Sequence, residues 1–158
     1  NIRNQTITEL FPITVTGDDV IEPKYTERFI DEHDGYTLTL RKNPIYAKYL
    51  STLTVDIQKD GKPVTNLTPY LNSVMHVTGV DNNLLHYFHG HGYIPENQFL
   101  QFLTGEATNP NHQPAPETFG PTISAEVRFP AAGIYHVVTE TVHEGKTLKG
   151  SFVVNVVE

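Results

Sequence analysis

The sequence predicts an all-β protein, an antiparallel β-sandwich of immunoglobulin-like or cupredoxin-like shape. Short segments alternate apolar and polar residues, which is the pattern of a strand with one buried face. Turn-forming residues separate these segments, as in the DGKP sequence at residues 60–63. Threonine, valine and tyrosine, which suit a pleated surface, are frequent within them. Short strands at this spacing are typical of sandwiches.

The alternation places the expected strands in chain order. One strand is expected within residues 6–16, and an irregular charged link follows it. Short helical turns are possible only at residues 25–30 and 97–103. Residues 92–121 are rich in glycine, proline and asparagine, so we expect a long loop at one end of the sandwich. The other strands are expected at residues 36–40, 53–57, 74–81, 84–91, 123–129, 135–137 and 152–156.

Length and composition limit the classes of function. The 158 residues fit one domain, which we divide into an N-terminal arm (1–33) and a sandwich (34–158). A net charge of −7 argues against nucleic-acid binding and mildly favours cations as partners. The chain has no cysteine, which excludes disulfides, thiolate metal sites and thiol nucleophiles.

Membrane crossing and export can also be considered from the sequence. No segment approaches the ~20 consecutive apolar residues of a transmembrane helix, so we expect a protein that does not span a membrane. The chain starts at Asn1 without a signal-like apolar run. We therefore expect a mature or trimmed product whose export signal would lie outside this sequence.

Histidines are concentrated between residues 76 and 91. Asn82 and Asn83 predict a two-residue hairpin turn, because asparagine tolerates the positive φ that such a turn requires. Counting outward from that turn places His76 opposite His89, with His91 one position further along the same face. Three imidazoles on one face can reach a shared ion at about 2.0–2.1 Å. The sequence therefore predicts a metal site at His76, His89 and His91.

Other histidines and the single methionine are weaker candidates for the same ion. The two-residue turn places His86 and Met75 on the opposite face, although a slip of one residue would reverse that assignment. Met75 is more typical of core filling than of a ligand. His136 and His143 belong to the penultimate strand, and either could supply a fourth ligand.

Six short motifs follow one another along residues 34–158: DGKPV at 60–64, PYL at 69–71, MHV at 75–77, YFHGH at 87–91, FPAAGIY at 129–135 and HEGK at 143–146. In this order they resemble the YtkA-like domain and related exported proteins associated with heavy-metal handling. The resemblance implies an exported β-sandwich with His76, His89 and His91 as ligands, and it implies no defined reaction. Lys149 stands where such proteins often have a further histidine, so no ligand is expected from the last strand.

Copper is the metal that this ligand set favours, and zinc is the alternative. Imidazole suits both ions, and Cu²⁺ binds a given nitrogen site more strongly than Zn²⁺. We therefore predict a copper-binding protein, not an enzyme, that captures, buffers or delivers the ion outside the cytoplasm, in the periplasm, at the cell surface or secreted. A symmetric dimer could complete the site.

Two other functions remain open. One is an immunoglobulin-like interaction module without metal, which would present the 92–121 loop to an envelope protein. Its apolar anchors would be Tyr93, Phe99, Phe102 and Phe119. The other is a metallo-enzyme in which a carboxylate near the three histidines serves as a base. It is less favoured because no fixed spacing connects the candidates to the cluster, and these are Glu96, Glu106 and Glu140.

Overall fold

The computed structural model of the protein describes residues 24–95 and 115–158, together with residues 11, 13–14 and 16–17. Every element with defined bounds in that part of the chain is a strand, so the all-β prediction is confirmed. No helix among these residues is long and apolar enough to cross a membrane. The strand expected at 6–16 falls largely outside the described residues, and the helical turn at 97–103 falls wholly outside them. The strands are β1 (Ile30–His33), β2 (Tyr36–Leu40), β3 (Leu50–Lys59), β4 (Lys62–Pro63), β5 (His76–Asp81), β6 (Tyr87–Tyr93), β7 (Thr122–Arg128), β8 (Gly133–His143) and β9 (Lys146–Val156).

The strands form one antiparallel sheet that nearly closes on itself. Its order is β1-β2-β3-β7-β6-β5-β8-β9, with β4 added beside β3. The two ends of this path approach each other, because Arg28 and Val153 exchange backbone hydrogen bonds of 2.8 and 2.9 Å. The result is barrel-like. This strand order does not distinguish the immunoglobulin-like from the cupredoxin-like type, and that choice stays a prediction.

The interior is filled by the apolar residues of the alternating segments. Phe88, Phe129 and Tyr135 form its aromatic centre, with ring centroids 4.7 Å apart for the two phenylalanines and 5.0 Å for Phe129 and Tyr135. Met75 is also buried and belongs to the same core cluster, as its core-filling interpretation predicted. Each large apolar side chain buried in this way stabilises the fold by about 1.5–3 kcal/mol.

The segment before residue 34 differs from its prediction. The helical turn expected at residues 25–30 is wrong, because Arg28 pairs with the last strand and Ile30 already begins β1. β1 and β2 form a hairpin through Asp34 and Gly35, whose φ angles are 50° and 78°. Glycine adopts such an angle without steric cost, which permits this tight turn. The sheet therefore begins at Ile30.

The hairpin of β5 and β6 has a longer turn than the sequence predicted. Asp81 donates its backbone N–H to the carbonyl of His86, and positive φ occurs at Leu84 (59°) rather than at the two asparagines. The Asp81 carboxylate explains this longer turn. Its Oδ1 accepts the backbone N–H groups of Leu85 at 2.7 Å and His86 at 3.0 Å. An aspartate that binds the amides ahead of it stabilises a turn of this kind.

The longer turn corrects the predicted cross-strand pairs but preserves the faces. His76 lies opposite His91, not His89, and Thr78 lies opposite His89. The shift is two residues, which is one full period of side-chain alternation in a strand. Each side chain therefore stays on the face that the sequence predicted.

Candidate metal centre

Alternation along β5 and β6 places three histidines on the outer face of the sheet. His76 lies on β5, and His89 and His91 lie two residues apart on β6. Their inward neighbours Val77 and Phe88 are buried in the core and hold the two strands in place. His89 is exposed, whereas His76 and His91 are partly covered. The predicted three-histidine face is therefore present.

The three rings are close enough to hold one ion. Their centroids are 5.3 Å apart for His76 and His89, and 4.7 Å apart for each pair that includes His91. One ring nitrogen from each residue lies within 4.8 Å of the others. The closest pair is Nδ1 of His76 and Nε2 of His89, at 3.1 Å. Two nitrogens bound to one metal at about 2.0–2.1 Å are roughly 2.9–3.4 Å apart for square to tetrahedral angles. This pair already has the spacing of two ligands.

The electrostatic environment favours the ligand form of the imidazole. Burial lowers the pKa of His89, and the charge of a protonated His76 lowers it further. A lower pKa keeps His89 neutral at pH 7, and only a neutral imidazole offers a lone pair to a metal. The close contact between His76 and His89 is a hydrogen bond in which one of the two nitrogens carries the proton and the other accepts it. A metal ion would replace that proton.

One ring nitrogen of His76 has no partner. Nε2 of His76 is buried and makes no hydrogen bond, and it is the one such side-chain atom found within the described ranges. An unsatisfied buried polar atom costs about 1–3 kcal/mol. The other nitrogen, Nδ1, faces His89. The ring of His76 is thus engaged on one side and unsatisfied on the other.

Two further side chains, Tyr70 and Glu140, border His76, and Lys149 pairs with the second of them; the sequence had offered Glu140 only as a candidate base. Tyr70 packs its ring edge-on against His76 at 5.6 Å between centroids. Glu140 lies directly opposite His76 on β8, and its Oε1 is 2.9 Å from Nζ of Lys149 on β9. Hydrogen bonding to Glu140 raises the pKa of Lys149, so Lys149 is charged at neutral pH. No local sequence signal reveals these neighbours, because they come from a loop and two distant strands.

The fourth-ligand candidates lie apart from the three histidines. His143 is buried on the opposite face, where Nδ1 is 2.6 Å from the Tyr36 hydroxyl and Nε2 is 2.9 Å from Oδ1 of Asn66. Both of its nitrogens are therefore occupied. His136 lies four residues from Glu140 along β8 and packs edge-on against Tyr25 at 5.2 Å.

His86 and Met75 are also placed away from the ion site, as the predicted face required. Nδ1 of His86 is 3.0 Å from Oδ2 of Asp81, in the turn at the far end of the hairpin. Met75 is 1% exposed, so its sulfur is not available at the outer face. Within the described residues, sulfur therefore does not contribute to this site.

Residues 92–95 and 115–121 of the proposed interaction loop lie within the described part of the chain. Tyr93 and Phe119 are 7% and 5% exposed, so these two predicted anchors pack inward and do not project from the protein. Tyr93 ends β6, and Phe119 bridges to Leu67. The interaction module stays a prediction, because Phe99 and Phe102 lie outside the described residues, as do Glu96 and Glu106.

Most of the chain matches a known family model. A family model described as "Domain of unknown function (DUF8832)" matches residues 31–158, a range that begins within β1 and includes all three histidines. No curated protein and no solved structure matches the chain.

Proposed function

We propose a function for this chain, which belongs to the family of domains of unknown function DUF8832: it binds a transition-metal ion through His76, His89 and His91. The observation that carries the proposal is the convergence of three ring nitrogens within 4.8 Å on one sheet face. A random polar strand surface has no reason to bring three imidazoles together on one face. A metal ion bound by one nitrogen of each ring explains this convergence.

Copper is our proposed metal, and zinc is the alternative. A set of three imidazoles without thiolate suits Cu²⁺ and Zn²⁺, and Cu²⁺ is the stronger binder at a given nitrogen site. The burial of Met75 supports a divalent ion over Cu⁺, since Cu⁺ prefers sulfur ligands. The net charge of −7 adds a general attraction for cations.

We propose that the protein captures, buffers or delivers the ion and is not an enzyme. The exposure of His89 supports this role, because an ion bound there remains accessible to a partner. The recipient would be an envelope protein or a second copy of the chain. A location outside the cytoplasm and a cupredoxin-like or immunoglobulin-like sandwich type belong to the same proposal. The location rests on the resemblance to YtkA-like domains, and the sandwich type rests on the spacing of short strands.

The direct test is titration of metal-free protein with Cu²⁺, followed by electron spin resonance. We expect one tightly bound ion with a nitrogen-rich spectrum. Changing His89 and His91 together to alanine should abolish this signal. The matched control changes His33 and His136 to alanine, which also removes two histidines but none of the cluster. Equal copper binding by both double variants would contradict the ligand assignment.

A further inference from the structure

Four residues form a continuous row across the outer face of the sheet. His91 on β6 lies opposite His76 on β5, His76 lies opposite Glu140 on β8, and Glu140 lies opposite Lys149 on β9. Directly opposed residues have Cβ atoms about 4.5–5.5 Å apart and point to the same side. A carboxylate is therefore the immediate neighbour of the histidine at the centre of the proposed site.

The two nitrogens of His76 have different environments. Nδ1 is 3.1 Å from His89 and is placed to bind an ion. When Nδ1 binds a metal, the ring proton must reside on Nε2, which then becomes a hydrogen-bond donor. That Nε2 is the buried atom that has no partner. Histidines that bind metals almost always donate this second N–H to a carboxylate, a carbonyl or a water.

Glu140 has the right chemistry and position to accept this proton. Its side chain is 23% exposed, and Lys149 holds one of its oxygens, Oε1, at 2.9 Å. The pair with Lys149 uses Oε1, so the bond to His76 would use the second oxygen, Oε2. Tyr70 covers the His76 ring on another side, which limits the access of water to a competing hydrogen bond.

We propose that Glu140 is the outer partner of the metal site: it accepts the hydrogen bond from Nε2–H of His76 when Nδ1 of His76 binds the ion. This inference rests on the proposed function. Glu140 acts through His76 and is a positioning residue. It fixes the His76 tautomer and orientation, and it makes Nδ1 a better electron donor. Lys149 holds the carboxylate in place and is not required for the bond to His76.

The experiment compares four variants of the full chain: Glu140→Gln, Glu140→Ala, Lys149→Met and Glu144→Ala. Glu144 is the matched control, because it too is a carboxylate paired with a lysine, Lys59, at 2.8 Å, and it belongs to the turn between β8 and β9. Zn²⁺ and Cu²⁺ dissociation constants are measured by chelator competition. The Nε2–H proton of His76 is observed by NMR in zinc-loaded protein with ¹⁵N-labelled histidine. Thermal melts verify that each variant folds.

We expect Glu140→Ala to weaken metal binding by about 10–100-fold, the usual effect of losing an outer-sphere partner. Glu140→Gln should weaken it less, because the amide oxygen still accepts a hydrogen bond. The His76 Nε2–H signal should be protected from exchange in the parent protein and lost in Glu140→Ala. Lys149→Met should bind metal as tightly as the parent or more tightly, and Glu144→Ala should be unchanged.

Two results would overturn the inference. One is parent-like affinity and an unchanged Nε2–H signal in Glu140→Ala. The other is equal weakening by Glu140→Ala and Lys149→Met, which would show that only the ion pair matters. In both cases the proposed function stands as long as the double variant of His89 and His91 loses the metal. A parent protein that binds no metal would refute the proposed function itself.

Discussion

His76 and His91 lie directly opposite each other on β5 and β6, with their ring centroids 4.7 Å apart. His89 is two residues from His91 on the same strand face and completes the group. His76 is thus the one ligand candidate of the three that β5 supplies, and β6 supplies the other two. The position of this pair depends on the turn at Asp81, so the turn and the candidate site are coupled.

Metal binding should depend on pH through the three histidines. Burial, and then the charge of a protonated His76, lower the pKa of His89 below its ordinary value of about 6.5. His89 therefore stays neutral above that value, and protons compete with the metal only as the pH falls below it. We expect Cu²⁺ affinity to be constant from about pH 8 to pH 7 and to fall steeply towards pH 5. Affinity that does not change between pH 8 and pH 5 would exclude imidazole ligands.

The lowered pKa of His89 should also make the stability of the metal-free protein depend on pH. The folded-state pKa of His89 is lowered, so the unfolded chain binds this proton more readily. The stability associated with neutral His89 is fully present above about pH 6.5 and decreases as the pH falls through that value. Urea unfolding of parent and His89→Ala protein at several pH values measures this contribution.

Metal should stabilise the fold, and copper should do so more than zinc. An ion that binds only the folded chain adds about 2.7 kcal/mol to the free energy of unfolding when its free concentration is about 100 times its dissociation constant. At equal metal concentration the stronger binder gives the larger rise in Tm. Differential scanning calorimetry with Cu²⁺ and Zn²⁺ measures the effect. Equal shifts in the parent protein and in the His89 and His91 double variant would place binding elsewhere.

Asp81→Ala should destabilise the β5–β6 hairpin. Asp81 is 5% exposed, and its carboxylate accepts hydrogen bonds from the amides of Leu85 and His86, so its removal leaves these donors without their partner. A loss of about 1–3 kcal/mol is expected, measured by urea unfolding at pH 7. Metal affinity should also fall, because the turn sets the pair of His76 and His91. Unchanged stability would mean that the turn does not depend on this carboxylate.

The stabilisation by the Asp81 carboxylate should be lost at low pH. Burial raises the pKa of Asp81, but the hydrogen bonds from His86 and Leu85 outweigh it and the net pKa is lowered. The stabilisation is therefore present above the unfolded pKa of about 3.9 and is lost as the pH falls through the folded pKa. The stability difference between parent and Asp81→Ala should shrink in strong acid.

Gly79→Ala should destabilise the part of the sheet that carries the candidate site. Gly79 lies opposite Phe88 on the inner face, and a Cβ at residue 79 would overlap the Phe88 ring. The ring has little room to move, because it packs against Phe129 at 4.7 Å. We expect a loss of about 1–3 kcal/mol from this overpacking, measured by thermal and urea unfolding. Adding Phe88→Leu should recover part of the loss, and no recovery would argue against a steric cause.

Much of the candidate site is predictable from local sequence because side-chain direction in a strand has a period of two residues. That period placed His76, His89 and His91 on one face, although the predicted turn was two residues too short. An error of two residues changes the cross-strand partner and leaves the face unchanged. The Asp81 carboxylate caused the error, since a side chain that binds two amides favours a longer turn than two asparagines indicate.

The sequence by itself determined the β class, the buried side of the strands that it predicted and the side on which the histidines lie. These properties depend on residues a few positions apart. Only the tertiary structure decided that β5 lies between β6 and β8, and hence that Glu140 borders His76. Which strands become neighbours depends on how the whole sheet buries its core, and a local pattern contains no information about a strand more than fifty residues away.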